Sequence, residues 1–593
     1  MKNRKESLYL QELAYLRELM KQIAAENPQL AEFLENPNDP DIQRLIEGFA
    51  LLTSNVRSTI EDSIPQITHE MLGRIWPHPL RPVPPATVIQ FTPHQDIHQG
   101  AVDIPKDAPV TAAVGEQHFP FHTCRPLHIE PFIVLDKKIQ KTREYSDIVL
   151  TLRQTGNEVL SWSGGKLPFF LGTDKNRAAQ LSLWLDMHIE EVYLRTAEGE
   201  KRLRDSDFLG WPENLQQTLL PTESMLFAHL QQITEYYCLP HVFNFMTLDI
   251  NEQQHLLLNP DGTCELIIRL QGELPVDDLG DAFQLGCVPA VHLVPMVSQP
   301  ISLIPDNACY PLPLAETERL FRVNNIQTAK QPGEKAVQGS TPRGKSCHFL
   351  PIDQYHARSD WLLEAGEPDN VYFQSVITDD LLGRIHNRIR FIGMDGEAAN
   401  NLSPQSVCAD FIGYHEQAMK LAIGDITLTQ ESVPAHLSAS NITPVSSDFP
   451  PMVLGNSDWL LINLLNIPPF LLFHAKSLKG FLRLYDCYAG HDRRLSRRMQ
   501  QHINGIVHID ALSDHCLDYS REGVPINGSK LRICLDPDCY ENDGVMYQFC
   551  RIIDQLLACF VVRNNFTKLE IYRQGERTLL WAFRQRLGLR SEM

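Results

Sequence analysis

WPHPLRPVPPATVIQF, residues 76–91, divides the chain into two kinds of structure. Five prolines fall within residues 77–85. Each fixes φ and removes an amide donor, so no helix can run through them, and the spacing predicts a stiff, polyproline-like connector. Before this point the apolar residues recur every three or four positions. After it, from Ala86, they alternate with period two, the signature of strands.

Upstream, Tyr9, Leu13, Leu16, Met20 and Ile23 follow one another at steps of 4, 3, 4 and 3. That places them on one narrow seam of a helix, suited to packing against another helix in the same chain or in a partner. Asn27-Pro28 and Asp39-Pro40 read as cap and first-turn pairs. The second pair opens a helix over about 41–62 that is expected to bury Ile42, Leu45, Ile46, Phe49, Leu52, Val56 and Ile60. Pro65 ends it and opens a third segment, QITHEMLGRIW.

Downstream, TVIQF, HFPFHTC, PLHIEPFIVL, SDIVLTLR and LPFFLG read as strands. Helices are expected over 176–187 and 222–238, the latter with Thr222 as N-cap and Pro240 just past its end. More strands follow (VFNFMTL, CELIIRL, AVHLV). Residues 327–346 read as a long polar loop and NITPVSSDFPP, 441–451, as a linker. Beyond 456, two helices, the strands GIVHIDAL and KLRICLD, a long apolar helix and the strand FTKLEIYR make a mixed unit. The fold class is therefore α+β and multidomain: an N-terminal helical arm over 1–85, β-rich domains over 86–326 and 327–455, and a C-terminal α/β domain over 456–593.

The bulk numbers narrow the function. The chain has 593 residues, 43% hydrophobic and 21% charged, the composition of a globular protein of several domains. A net charge of −20 argues against gripping nucleic acid, which needs a surplus of Lys and Arg. The basic run RRLSRRMQQH, 493–502, reads as a solvated helix face. The longest greasy run, 459–473, is too short and too broken by Asn and Pro to span a bilayer, and no secretory leader is apparent. The thirteen cysteines lie singly, as expected of a reducing cytoplasm.

No catalytic constellation emerges. Residues 339–346, GSTPRGKS, match G-x-x-x-x-G-K-[ST], which makes a nucleotide-binding protein the alternative reading. That loop needs a strand before it and a helix after it. Here QPGEKAVQ precedes it, and Pro351 would break the helix that should follow. His94, His98, His118, His122 and His128 include pairs at i, i+4, but on strands such pairs stand about 13 Å apart, so no metal site is expected. Asp277-Asp278 and Asp536-Pro537-Asp538 read as turn chemistry. No enzyme activity and no cofactor are expected.

YLQELAYLRELMKQIAAENPQLAEFL, followed by DPDIQRLIEGFALLTSNVRSTIEDSIPQITHEMLGRIWPHPLRPVPPATVIQF, resembles the opening of the TssF (VasA/ImpG) family of type VI secretion baseplate subunits. LQQITEYYCLPHVFNFMTL, LGCVPAVHLVPMVSQPI, SDWLLINLLN, LKGFLRLYD and FVVRNNFTKLEIYR continue the likeness to the end. The resemblance implies a structural wedge component of a phage-tail-like contractile injection machine, without cofactor or catalytic residues. It implies a cytoplasmic location, docked at the inner membrane of a Gram-negative bacterium without inserting into it. The implied partners are TssG, with two copies of this chain to one of TssG, and TssK, TssE, the VgrG hub and the sheath. The loop at 339–346 is not a feature of that family.

Overall fold

The computed structural model describes residues 13–16, 44, 46–50, 52–53, 68–69, 71–73, 75–93, 101–155, 161–162, 165–197, 199–203, 207–210, 218–222, 228–250, 256–304, 307–328, 348–351, 371–379, 385–393, 399, 406–429, 432–452, 461–463, 468–485, 492–518 and 524–589. The described parts of 13–16 and 44–75 are helical.

Where the prolines stop, the strand Ala86–Pro93 starts, and it becomes the inner strand of a six-stranded antiparallel sheet. The order is Ile426–Thr429, Pro109–Val114, Gln117–Thr123, Cys287–Val291, Ala86–Pro93, Leu437–Asn441. Being paired on both sides, Ala86–Pro93 carries apolar residues on both faces, and Ile89 and Phe91 join Val110, Phe121 and Val288 in one core. The two edge strands meet through Asn441. Its side chain accepts from Gly424 N and Ile426 N at 2.9 and 3.1 Å and donates to Ala422 O at 3.0 Å. The sheet thus curls toward closure, and it draws strands from both sides of the expected boundary at 326/327.

The connector differs from a uniform polyproline spacer. Pro77 sits in the right-handed helical region and His78–Leu80 form a 3-10 turn. Nor is 441–451 a loose linker. Val83 and Phe449 exchange both backbone bonds, Met452 N donates to Pro79 O, and Thr443 and Ser446 hydroxyls accept from Val88 N and Ala86 N. The reason is that prolines offer carbonyls but no donors, and a later segment with free amides can satisfy them.

A five-stranded antiparallel sheet follows, ordered Gly199–Arg202, Ile189–Thr196, Thr263–Gln271, Tyr145–Gln154, Phe132–Lys141. Helix α1, Lys175–Met187, packs its buried Leu181 and Leu185 into the same core, capped by Asp174, which accepts from Asn176 N and Arg177 N. Helix α2 is described over Ala228–Cys238. Thr222, expected as its cap, bonds His78 Nε2 at 2.9 Å, and residues 223–227, which would form the capped first turn, lie outside the described residues. An eight-stranded sheet gathers strands between Val294 and His415.

The C-terminal sheet runs Ile506–Asp518, Val524–Leu535, Asn565–Arg573, Leu579–Ala582. Its second and third strands are parallel, in register from Asn527↔Asn565 to Leu535↔Arg573. Parallel neighbours need a crossover, and helix α5, Asp543–Phe560, supplies it. One side of α5 covers this sheet and others meet α1 and α2, so it is buried almost all round and its sequence is apolar beyond a single stripe. Helices α3, Ala475–Arg483, and α4, Arg493–Asn504, complete the unit.

Candidate interaction surfaces

Residues 339–346 lie outside the described residues, as do His94 and His98. Of the remaining clustered histidines, His118 and His128 are exposed and His122 is half-buried, strung along strands as their spacing implied. His128 Nδ1 binds Asp103 Oδ1 at 2.6 Å. Among the described residues no group of three or more His, Cys, Asp or Glu could hold a metal ion. Asp278 and Asp536 accept from Gly280 N and Asp538 N, each at 3.1 Å, which is turn chemistry.

The arm is where sequence and structure diverge. Tyr9, Met20 and Ile23 lie outside the described residues. Leu13 is buried and Leu16 half-buried, so at these two positions the seam packs inside the chain. In the helix over 41–62 the expected burial of Phe49 and Leu52 is overturned: they are 57% and 63% exposed, while neighbouring Ala50 is fully buried. Tyr15, Met71 and Ile75 are also exposed. Periodicity marks which side of a helix is apolar but not which chain covers it, and here the small alanine faces inward.

A histidine pair links two of the β sheets. His292 is fully buried between Phe119 and Phe121. Its Nδ1 donates to Pro120 O at 2.7 Å, since a carbonyl can only accept. The Nε2 lone pair therefore receives the Nδ1 proton of His415 at 3.1 Å. Burial pushes His292, His229 and His241 each down to about 4. Because these values lie below that of the unfolded chain, the unfolded state binds more protons, and stability is lost as pH falls from about 6.5 toward about 4. Burial pushes Glu235 up to about 7 and Asp554 up to about 6, which acts in the opposite sense and ends once pH drops below their unfolded values near 4. The thermal midpoint should therefore fall most steeply between about pH 5 and 4. The fall should be shallower in His229→Leu, measured by calorimetry across that range. An identical pH profile for the variant would contradict a neutral buried His229.

In the C-terminal unit, Leu495, Arg498 and His502 of α4 face Lys175, at the start of α1, and Tyr236, Tyr237 and Gln548 across a narrow cleft of about 20 Å³, room for about one water. Glu541 takes both basic groups of α4, from Arg498 Nε at 2.8 Å and His502 Nε2 at 2.9 Å. The hydrogen bond with His502 and the positive charge of Arg498 outweigh the carboxylate's partial burial and hold it down at about 2. Lys175 is pushed below its ordinary value by burial and by the neighbouring Arg498 charge. The basic run 493–502, read as a solvated face, is thus half structural: Met499, His502 and Ile503 are buried, while Arg493, Arg494 and Arg497 face solvent. The cleft left no signal in the sequence, because its lining comes from four separate helices.

Comparison with known proteins places this architecture. The family model described as type VI secretion system, TssF, matches residues 1–590. The type VI secretion system component TssF1 of Pseudomonas aeruginosa is 26% identical over 641 aligned positions, spanning 99% of each protein. A chain in the structure of the type VI secretion TssK-TssF-TssG baseplate subcomplex superposes with a TM-score of 0.69 at 18% identity, covering 92% of this chain and 99% of that one. A chain of the type VI secretion baseplate complex gives 0.59 at 18% identity, covering 99% and 100%.

Proposed function

The chain belongs to the TssF family of the type VI secretion system, and from that premise we propose that it is a structural component of the secretion baseplate, assembling with TssG and TssK. End-to-end similarity to the family and to a chain of a TssK-TssF-TssG subcomplex supports this reading. The observation that carries the mode of assembly is the outward apolar face of the arm. Phe49 and Leu52, about one helical turn apart, are more than half exposed on a helix whose stripe belongs in a core. A partner helix laid along that face completes a bundle. In this reading the arm joins TssG and the second copy of this chain, at two copies per TssG. TssK, TssE, the VgrG hub and the sheath meet the remaining surfaces, and docking at the inner membrane passes through other subunits. Among the described residues no helix is long and apolar enough to cross a membrane. The nucleotide-binding alternative gains no support from the family or these relatives.

The test is a pair of variants. Phe49→Asp with Leu52→Asp should abolish capture of the TssG-like partner while circular dichroism and thermal midpoint stay as in the wild type. Leu13→Asp, by contrast, buries a charge and should loosen the arm itself. If the Phe49/Leu52 variant still assembles, the outward face is not the interface.

A further inference from the structure

Every strand of the eight-stranded sheet falls between Val294 and His415, without interruption by a strand of any other sheet. The strands on either side of that interval, Cys287–Val291 and Ile426–Thr429, both belong to the six-stranded sheet. Residues 294–415 are thus a module inserted into another sheet's domain, entered once and left once. Its core is its own: among the described residues, the cluster of Leu303, Tyr310, Ile326, Phe373, Ile389 and Phe411 takes no member from outside the interval.

The two crossings meet at one point. On the way in, His292 is held by the six-stranded sheet: its backbone N–H donates to Pro85 O at 2.9 Å and its Nδ1 to Pro120 O at 2.7 Å. Leu293 alone then separates it from the module strand Val294–Val297. On the way out, His415 is the last residue of the module strand Ser406–His415. Glu416 still travels with the module, its N–H donating to Thr317 O at 2.9 Å and its carboxylate pairing with Arg319. Ala418, two residues on, is fully buried in the core of the six-stranded sheet. Between these crossings His415 Nδ1 donates to His292 Nε2 at 3.1 Å, from module to body. Phe119 of the body meets both rings edge-on, at 6.0 and 5.7 Å. Further contacts between the two gather at the same end: Tyr414 donates its hydroxyl to Asp448 Oδ2 at 3.0 Å, and the Arg81 guanidinium lies 5.6 Å from the Phe321 ring centre.

We propose that residues 294–415 turn as one body about a neck at Leu293 and Gln417, and that the His292–His415 hydrogen bond is the latch that fixes their orientation. Hinges are a few residues at the ends of elements that absorb a change in φ and ψ, and both neck residues hold such positions. Turning leaves the module's core intact, so what it breaks is the polar contact at the neck and little apolar burial. A hydrogen bond suits a latch because it is directional, setting one angle, and modest in net strength, so that it releases reversibly. The neck is remote in sequence from the arm, and its test does not depend on the assembly reading.

The experiment places spin labels, carried on non-natural amino acids, at two exposed positions of the full-length chain: Lys106 on the body and Arg388 on the module. Double electron–electron resonance then reads the distance between them. The wild type should give one narrow distribution. His415→Phe keeps a ring against Phe119 but has no donor, and the population outside the main peak should rise about fivefold, the factor carried by one ordinary hydrogen bond. His415→Gln restores a donor and should return the narrow distribution. A reference pair inside the module, Val297 with Arg388, should stay narrow in all three proteins. An unchanged Lys106–Arg388 distribution in His415→Phe overturns the proposal, as does a His415→Gln distribution as broad as that of His415→Phe. Broadening of the reference pair also overturns it, since the module would then be unfolding rather than turning.

Discussion

Gly544→Val should destabilise the C-terminal unit by about 3 kcal/mol or more, and release α5 from α1. Gly544 lies in the first turn of α5, where a Cβ would come within 2.3 Å of Gln180 N and 2.4 Å of Ala179 C. Those are backbone atoms in the middle of α1, so no side chain can swing aside. The contact is also bonded: Gly544 N donates to Gln180 Oε1 at 2.8 Å and Asn542 Nδ2 to Asn176 O at 3.2 Å. Asn542 simultaneously caps α5, accepting from Val545 N at 2.8 Å. Tyr547, one turn on, donates its hydroxyl to Asp186 of α1. A valine must force the helix axes apart and break these bonds together. Thermal unfolding and protease susceptibility between 540 and 593 check it. A variant melting within a degree of the wild type would show that the helices do not approach this closely.

Arg586→Met should cost about 3 kcal/mol at pH 8, because it strands a buried charge. Asp554, on α5, is 1% exposed, and its carboxylate accepts from Arg586 Nε in the short C-terminal strand. Burial already pushes this carboxyl up to about 6, with the positive charges of Arg586 and Arg551 restraining the rise. Without Arg586 the folded-state value climbs further above that of the unfolded chain. A carboxyl raised in this way loses stability as pH rises, and the loss disappears once it is protonated in both states. The deficit should therefore shrink steadily from pH 8 toward pH 5. A deficit independent of pH would mean that methionine acts through packing alone.

Much of the framework was legible in the sequence, for identifiable reasons. Ala86–Pro93 announced itself because prolines forbid helix before it and apolar alternation begins at once. Helix α1 was expected over 176–187 and runs over Lys175–Met187, the extra residue following from the Asp174 cap. Helix α5 was visible as a long apolar run, though its role as the crossover between parallel strands was not, since period alone cannot say which strands flank it. The linker at 441–451 was misread because Thr443 and Ser446 look like solvent residues; that they bond Val88 and Ala86 depends on folding across more than 350 residues. The surfaces were least legible. The stripe of Phe49 and Leu52 reads as core, and only the folded chain turns it outward. The cleft beside α4 brings Lys175 to Arg498 across more than 300 positions, and no local pattern records that meeting.

Copurification tests the assembly role most directly. The tagged full-length chain would be recovered from its native host at cytoplasmic salt, with copurifying proteins identified and counted by mass spectrometry. The predicted result is a TssG-like protein at about half the amount of this chain, as the proposed assembly of two copies of this chain with one TssG requires, with a TssK-like protein beside it. Recovery of the chain alone would contradict the account.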